Sequence, residues 1–446
     1  MRRRDEWSEP RGLRSGATAH RGESYADRPA VLSQQAPRRG QGVYLRHLSR
    51  ELVRLGHTVE VFSGQPYPEL DEGVALTKVP SLDLYREPDP FRIPKPREFR
   101  DSIDVQEFAI MCTAGFPEPR TFARRIARVL EERKEDFDIV HDNQVLGHGL
   151  LDIEEKVGLP MITTIHHPIT FDRRIDLAQT RNPWRKFTVR RWYGFLRMQA
   201  AVARRARWIL TPSETSKRDI AKDFGVDPAR MQVILLGVDD MFVPPTKPRV
   251  PGRIMAMASA DAPMKGIATL LEAFAKLRTE RDLELVLVTR PSPGGRTEKL
   301  IEKLGIGDAV RFANGLTDQE LVELMGSAEL ACVPSLYEGF SLPTAEMMAC
   351  ATPLVVSRAG AIPEVVGEDG ECADLVPPGD VGELYAALER MLDDPDRRAR
   401  MGAAGRRRVE EHFSWRAVAE KVADAYQHVI DDFRAERGAT STTEEN

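Results

Sequence analysis

Cysteine is scarce in this chain of 446 residues: only Cys112, Cys332, Cys350 and Cys372, scattered and without a Cys-x2-Cys pair. That excludes a thiolate metal site and a disulfide framework, and predicts reduced, mostly buried thiols in a cytoplasmic protein. Positive charge is not in excess either. With 64 basic and 69 acidic residues the formal charge is −5, which argues against a dedicated nucleic-acid binder. No apolar run approaches the ~18–20 residues that a membrane span needs. The arginine-rich N-terminus lacks the apolar core of a signal peptide. A helix-spaced histidine pair is missing, so no metal is expected. Ser341 has no base near it in sequence and no nucleophile-elbow setting, which removes a nucleophilic triad. No internal repeat is evident.

What is present is enough apolar residue, 41%, to build cores in two or three domains. Residues 1–28 are polar, charged and without periodicity, and are expected to be disordered. Pro29-Ala30-Val31-Leu32-Ser33 is a short strand. A Gly-containing loop follows, then a helical pattern from Val43 to Leu55 stopped by Gly56. Further strands are predicted at Val59–Phe62, Asp138–His141, Met161–Ile165, Trp208–Thr211 and Gln232–Leu235. Helical stretches lie between them, including one over Trp184–Arg205. Residues 243–252 hold Pro244, Pro245, Pro248 and Pro251 and read as a linker. The alternation then restarts, with strands at Arg253–Ala258, Leu283–Thr289, Ala309–Ala313, Ala328–Val333 and Pro353–Ser357. Two alternating halves imply an α/β fold of two Rossmann-like domains, 29–242 and 253–412, facing across a cleft. A long helix at 413–434 could cross back onto the first domain, and 435–446 is expected to be a disordered tail.

The chemistry is placed at Pro334–Glu346, PSLYEGFSLPTAE. An apolar strand precedes it, and a small-residue helix opens at Pro343, where the missing N–H costs nothing. A helix N-terminus offers free N–H groups and a positive dipole end to an anion. Gly339 permits close approach of backbone to a ligand. Glu338 and Glu346, with seven residues between them, can both face one molecule whose phosphates lie at the helix end. Carboxylates beside phosphates repel unless they bind hydroxyls, so a sugar nucleotide is the ligand indicated. Lys265-Gly266, after the first strand of the second half, can reach a diphosphate as a point charge. His166 and His167 end the strand Met161–Ile165, where open parallel sheets present side chains to the ligand crevice. His141-Asp142-Asn143 closes another strand, and Gly237-Val238-Asp239 reads as structural.

The word EGFSLPTAE, behind a buried strand, resembles the Glu-x7-Glu signature of retaining glycosyltransferases of family 4, which have the GT-B fold. The resemblance spans residues 29–434 and is most specific from Lys265 to Glu364. It implies transfer of a sugar, with retention, from a nucleoside-diphosphate sugar to a lipid, glycan or small-molecule acceptor, with no cofactor or metal. On that resemblance the C-terminal domain binds the donor: Lys265 and the amides around Ser341 and Leu342 meet the diphosphate. Glu346 binds the ribose, and Glu338, Gly339 and Phe340 surround the sugar. His166 matches the active-site histidine, reaching in from the other domain, with His167 the runner-up. Gln41, Gly42, His141, Asp142 and His167 would line the acceptor side. The chain departs from the family at its start, with a short first strand and Arg38-Arg39-Gly40-Gln41-Gly42 in place of a Gly-Gly loop. It departs again at Ser259, where an arginine usually completes a cationic clamp with the lysine. The clamp is then half absent, or its second cation comes from elsewhere.

Two other functions suit the same residues: a sugar-nucleotide epimerase of this fold, and a nucleotide-binding homologue with weak or no turnover. One more stretch stands out. From Leu177 to Ser213 there are nine basic residues and no acidic one, with Trp184, Phe187, Trp192, Tyr193 and Phe195 interleaved. Such a basic, aromatic segment over 181–207 is expected to dock on an anionic membrane face.

Overall fold

The computed structural model describes residues 29–33, 41–86, 88–257, 262–290, 292–368 and 370–444. Two all-parallel sheets organise it. The N-terminal half runs β1 (Pro29–Ser33), α1 (Gln41–Arg54), β2 (Glu60–Ser63), β3 (Ala75–Lys78), α2 (Ser102–Cys112), α3 (Glu118–Glu132), β4 (Ile139–Asn143) and α4 (Gly149–Asp152). It continues with β5 (Met161–Thr164), α5 (Thr170–Gln179), α6 (Pro183–Trp192), α7 (Leu196–Ala203), β6 (Ile209–Thr211), α8 (Glu214–Phe224) and β7 (Met231–Val233). Its sheet has the order β3-β2-β1-β4-β5-β6-β7.

The C-terminal half begins with β8 (Val250–Met257), α9 (Ile267–Leu277), β9 (Glu284–Val288), α10 (Arg296–Leu304), β10 (Val310–Ala313), α11 (Asp318–Ser327), β11 (Ala328–Val333) and α12 (Leu342–Ala349). There follow β12 (Leu354–Ser357), α13 (Ile362–Val366), β13 (Asp374–Val376), α14 (Val381–Asp393), α15 (Pro395–His412) and α16 (Trp415–Glu444). This sheet is ordered β10-β9-β8-β11-β12-β13. Buried parallel strands are near-continuously apolar because helices cover both faces. In β11 only Glu329 is less than fully buried. On α9, Ile267, Leu270, Leu271, Phe274 and Leu277 share the buried face, and each such side chain contributes roughly 1.5–3 kcal/mol.

The last helix returns to the first half. Trp415, Val418, Val422, Tyr426 and Val429 of α16 are buried in one core with Leu45, Leu48 and Leu52 of α1. Near the junction, Val238 N–H donates to the carbonyl of Phe413 at 2.8 Å. Asp239 there binds Arg50 at 2.9 Å and His47 at 3.1 Å, and those partners hold its carboxyl below the ordinary range.

Several elements differ from the sequence reading. The helix expected over Trp184–Arg205 is broken at Gly194 into α6, a 3-10 turn (Tyr193–Phe195) and α7, because glycine weakens a helix interior. Strands β3 and β13 and helix α2 are additional. Strand β8 starts at Val250, so the end of the proline-rich 243–252 segment already pairs with β11; proline is tolerated at a strand's opening. Helix α16 continues to Glu444, past 434 and through the expected tail. Residues 1–28, the Arg38–Gly40 departure and Ser259 lie outside the described residues. Cys332, Cys350 and Cys372 are buried, whereas Cys112 is exposed.

Candidate active site

Open parallel sheets form a crevice where neighbouring strands send their connections in opposite directions. In the C-terminal sheet that point lies between β8 and β11. The loop after β8 carries Lys265 on a 3-10 turn (Pro263–Lys265), and the loop after β11 carries Glu338. They meet there. Lys265 Nζ donates to Glu338 Oε1 at 2.8 Å, and Ser335 Oγ donates to the same oxygen at 2.7 Å. The loops are tied again by Leu336 N–H, which donates to the Met264 carbonyl at 2.7 Å. Glu338 is the more buried partner, with 11% of its side chain exposed against 28% for Lys265, so the lysine is the one reachable from solvent.

Below this pair α12 begins. Its N-cap is Ser341, held at φ +83°, a left-handed conformation that an L residue adopts at a cost. The Ser341 hydroxyl bonds Thr344 Oγ1 at 2.8 Å and caps no amide. Among the described residues the N–H groups of Phe340, Ser341 and Leu342 make no backbone hydrogen bond. Strained backbone and open donors at a helix start fit a built anion site. Glu346 follows on α12, half-buried, eight residues after Glu338.

The N-terminal sheet has its own reversal, between β1 and β4. Gln41 and Gly42 open α1 there, and Asn143 ends β4. The Asn143 amide donates to the Gln41 carbonyl at 3.4 Å, so its oxygen faces His166 Nε2 at 2.7 Å. The imidazole therefore donates from Nε2 and keeps a lone pair on Nδ1. Burial, then the neighbouring His167 and His141, pushes the His166 pKa down to about 3, so the ring is neutral near pH 7. Tyr44 packs edge-on against it, centroids 4.9 Å apart. Gln144, at φ +59°, accepts from His166 N–H at 2.7 Å and donates to the His167 carbonyl at 2.8 Å. That residue was not anticipated; a long polar side chain just past a strand end was its only signal.

The two halves touch at this site. A Cβ on Gly339 would stand 2.9 Å from the His166 carbonyl oxygen and 3.1 Å from His167 Cβ. Glycine is thus needed where the loop abuts the histidine segment, rather than only beside a ligand. Tyr337 stacks on Phe171 of α5 at 4.1 Å.

Residues 244–408 match the family described as Glycosyl transferases group 1, and residues 38–242 match Glycosyltransferase Family 4. The sequence is also 60% identical, over 88% of this chain and 95% of the other, to the MMP alpha-(1->4)-mannosyltransferase of Mycolicibacterium hassiacum. The chain is a GT-B glycosyltransferase of the family 4 type. In fold the glycosyltransferase is similar to a sucrose-phosphate synthase from Thermosynechococcus elongatus, with TM-score 0.71, 23% identity and coverage of 91% of this chain and 100% of that one. It is likewise similar to Anabaena Alr3699/HepE in complex with UDP-glucose, with TM-score 0.67, 15% identity and coverage of 90% and 99%.

Not every candidate residue of the glycosyltransferase reaches the cleft. Lys265, Glu338 and the 339–342 loop come together, and His166 and His167 meet that loop. His141 does not: it is fully buried, with Nδ1 on the Tyr426 hydroxyl at 2.6 Å and Nε2 on Thr164 Oγ1 at 2.7 Å. It fastens α16 to β4 and has no ring nitrogen left for an acceptor. Asp142 is equally buried and accepts from the N–H groups of Val145 and Leu146, so it shapes the loop instead of lining the acceptor side. His167 is partly exposed, with Nε2 3.7 Å from Asp172.

The one-signed segment is not one-signed in space. Arg205 pairs with Glu155, and Arg207 with Glu436 and Asp432. Arg204 donates to the Phe224 carbonyl, and Arg191 to Thr113. What stays open is α6, where Trp184 and Phe187 are stacked at 5.4 Å and are 71% and 49% exposed. Among the described residues no helix is long and apolar enough to cross a membrane.

Proposed function

We propose that this glycosyltransferase moves a mannosyl group, with retention, from a nucleoside-diphosphate mannose to the 4-hydroxyl of a mannoside acceptor. The observation that carries the reading is the Lys265–Glu338 pair at the β8/β11 reversal, with Glu338 on the loop that leads into α12 and whose Gly339 abuts the His166 carbonyl. The sugar and linkage come from the relative that is 60% identical and named an alpha-(1->4)-mannosyltransferase. Two Anabaena HepE structures whose names include UDP or UDP-glucose support a nucleotide-sugar donor through shared fold alone.

In this reading charge builds on the diphosphate as the glycosidic bond breaks. Lys265 and the amides of Ser341 and Leu342 meet it without reorganising. Glu338 orients Lys265 and holds sugar hydroxyls, and Glu346 takes the ribose. Neutral His166, whose Nε2–H is taken by Asn143, can accept a hydrogen bond from a sugar hydroxyl at Nδ1. Retention requires the acceptor hydroxyl to enter on the face that the diphosphate leaves, and its proton can pass to the departing phosphate. We also propose that α6, with Trp184, Phe187, Arg185 and Arg190 exposed, is the part that would meet an anionic lipid surface.

The test is a panel of nucleoside-diphosphate sugars offered with and without a 4-linked mannobioside, following nucleotide release and the product linkage by NMR. Acceptor-dependent release from the mannose donor and a new α-(1→4) bond are expected. Donor conversion that ignores the acceptor would indicate an epimerase. Nucleotide binding with no release would indicate a non-catalytic homologue.

A further inference from the structure

The loop that we read as the donor loop is fastened to the other lobe along one face of α8. Ser213 caps that helix, and Ser216 and Asp219 follow at three-residue steps, so the three share a face. Ser213 Oγ donates to the Gly339 carbonyl at 2.7 Å. Ser216 Oγ lies 3.1 Å from the same oxygen and 2.8 Å from the His166 carbonyl, so one hydroxyl spans both walls of the cleft. Asp219 Oδ2 accepts from the Tyr337 hydroxyl at 2.8 Å. At the start of α8, Glu364 of α13 accepts from the N–H groups of Glu214 and Thr215, each at 2.8 Å, and from the Thr215 hydroxyl at 2.6 Å. A carboxylate there also meets the positive end of the helix dipole.

We propose that Ser213, Ser216, Asp219 and Glu364 are positioning residues: an interlobe clasp that registers the donor loop against His166 in the closed enzyme. The proposal rests on the donor-site reading given above. None of the four needs to touch the sugar. Each exchanges its partner for water when the lobes part, so the clasp releases easily, yet together they set where Gly339 and Tyr337 stand. Glu338 lies between those two residues and moves with them. Misplacing a reacting group by ~1 Å can cost ~100-fold in rate, and a poorly closed cleft admits water to the donor.

The test compares wild type with Ser216→Ala, Glu364→Gln and the double variant. Steady-state kcat and donor KM, the ratio of donor hydrolysis to transfer, and calorimetric nucleoside-diphosphate affinity are measured beside thermal melting. In the double variant kcat should fall at least ~10-fold and the hydrolysed fraction should rise, while nucleotide affinity stays within ~3-fold. A folded double variant with wild-type kcat and hydrolysis ratio overturns the clasp. So does a loss confined to nucleotide affinity, which would make these residues donor ligands. Should the double variant misfold, Glu364→Gln alone, at a partly exposed position, decides by the same readouts. Lys265→Ala run in parallel separates the two ideas, since unchanged nucleotide affinity there refutes the donor site and not the clasp.

Discussion

Replacing Gly360 by alanine should disable the enzyme without entering the cleft. Gly360 sits at φ +57°, just beyond β12, and an added Cβ would lie 2.1 Å from the Glu338 carbonyl oxygen and 2.8 Å from its nitrogen. Both near atoms are backbone, so no flexible side chain can swing away. An ordinary contact needs the Glu338 peptide to retreat by ~1 Å, and that peptide is pinned on the same side by Ala361 N–H at 2.9 Å. Alanine in the left-handed region adds ~1–2 kcal/mol. The displacement breaks the 2.8 Å Lys265–Glu338 contact or carries Lys265 with it. A ~100-fold loss of kcat is expected, on the scale of a 1 Å misplacement. The stability loss should be ~1–3 kcal/mol, within the range of a strained backbone position. Donor turnover and denaturant unfolding are measured together, with Gly194→Ala as control, because a Cβ there meets nothing within 4 Å. A folded Gly360→Ala enzyme with wild-type kcat would refute the placement of Glu338 in the chemistry.

Three further outcomes follow from the same geometry. Lys265→Ala and Glu338→Ala should each lower turnover at least ~100-fold, the scale of removing one preorganised charge-stabilising group; wild-type rates in both would remove the pair from the mechanism. Stability should fall on acidification below pH ~6.5. Burial pushes His141 and His166 down to about 3, so the unfolded chain binds two protons first, while buried Asp142, pushed up to about 7, takes one in the folded state. From these three groups the net of about one proton contributes a slope near 1.4 kcal/mol per pH unit between pH ~6.5 and ~4, which the raised carboxyls of buried Glu107 and half-buried Glu154 reduce. A melting temperature that is flat or rising over that range contradicts it. Finally, Trp184→Ala with Phe187→Ala should reduce low-salt pelleting with phosphatidylglycerol vesicles severalfold and leave turnover in solution unchanged. If the variant pellets like wild type, α6 is not the contact.

The linear sequence by itself determined the repeating strand–helix units, the Ala328–Val333 strand with its loop and helix, and the candidates Lys265, Glu338 and His166. These depend on short-range causes: burial periodicity, glycine stops and proline at a helix start. Edge strand β3 escaped because none of its four residues is buried, and β13 because its three residues open on an aspartate, so neither shows an apolar run. Tertiary structure alone decided the rest. His141 and His166 close neighbouring strands and look alike in sequence, but Tyr426, 285 residues away, takes a nitrogen of His141 and makes it a buried tie. Arg207 reads as an unpaired cation until Glu436, 229 residues on, arrives beside it. Glu364 gains its role only where α8, 150 residues earlier, turns its first N–H groups toward it. Desolvation and pairing act between atoms that folding brings together, and spacing along the chain does not encode which atoms those will be.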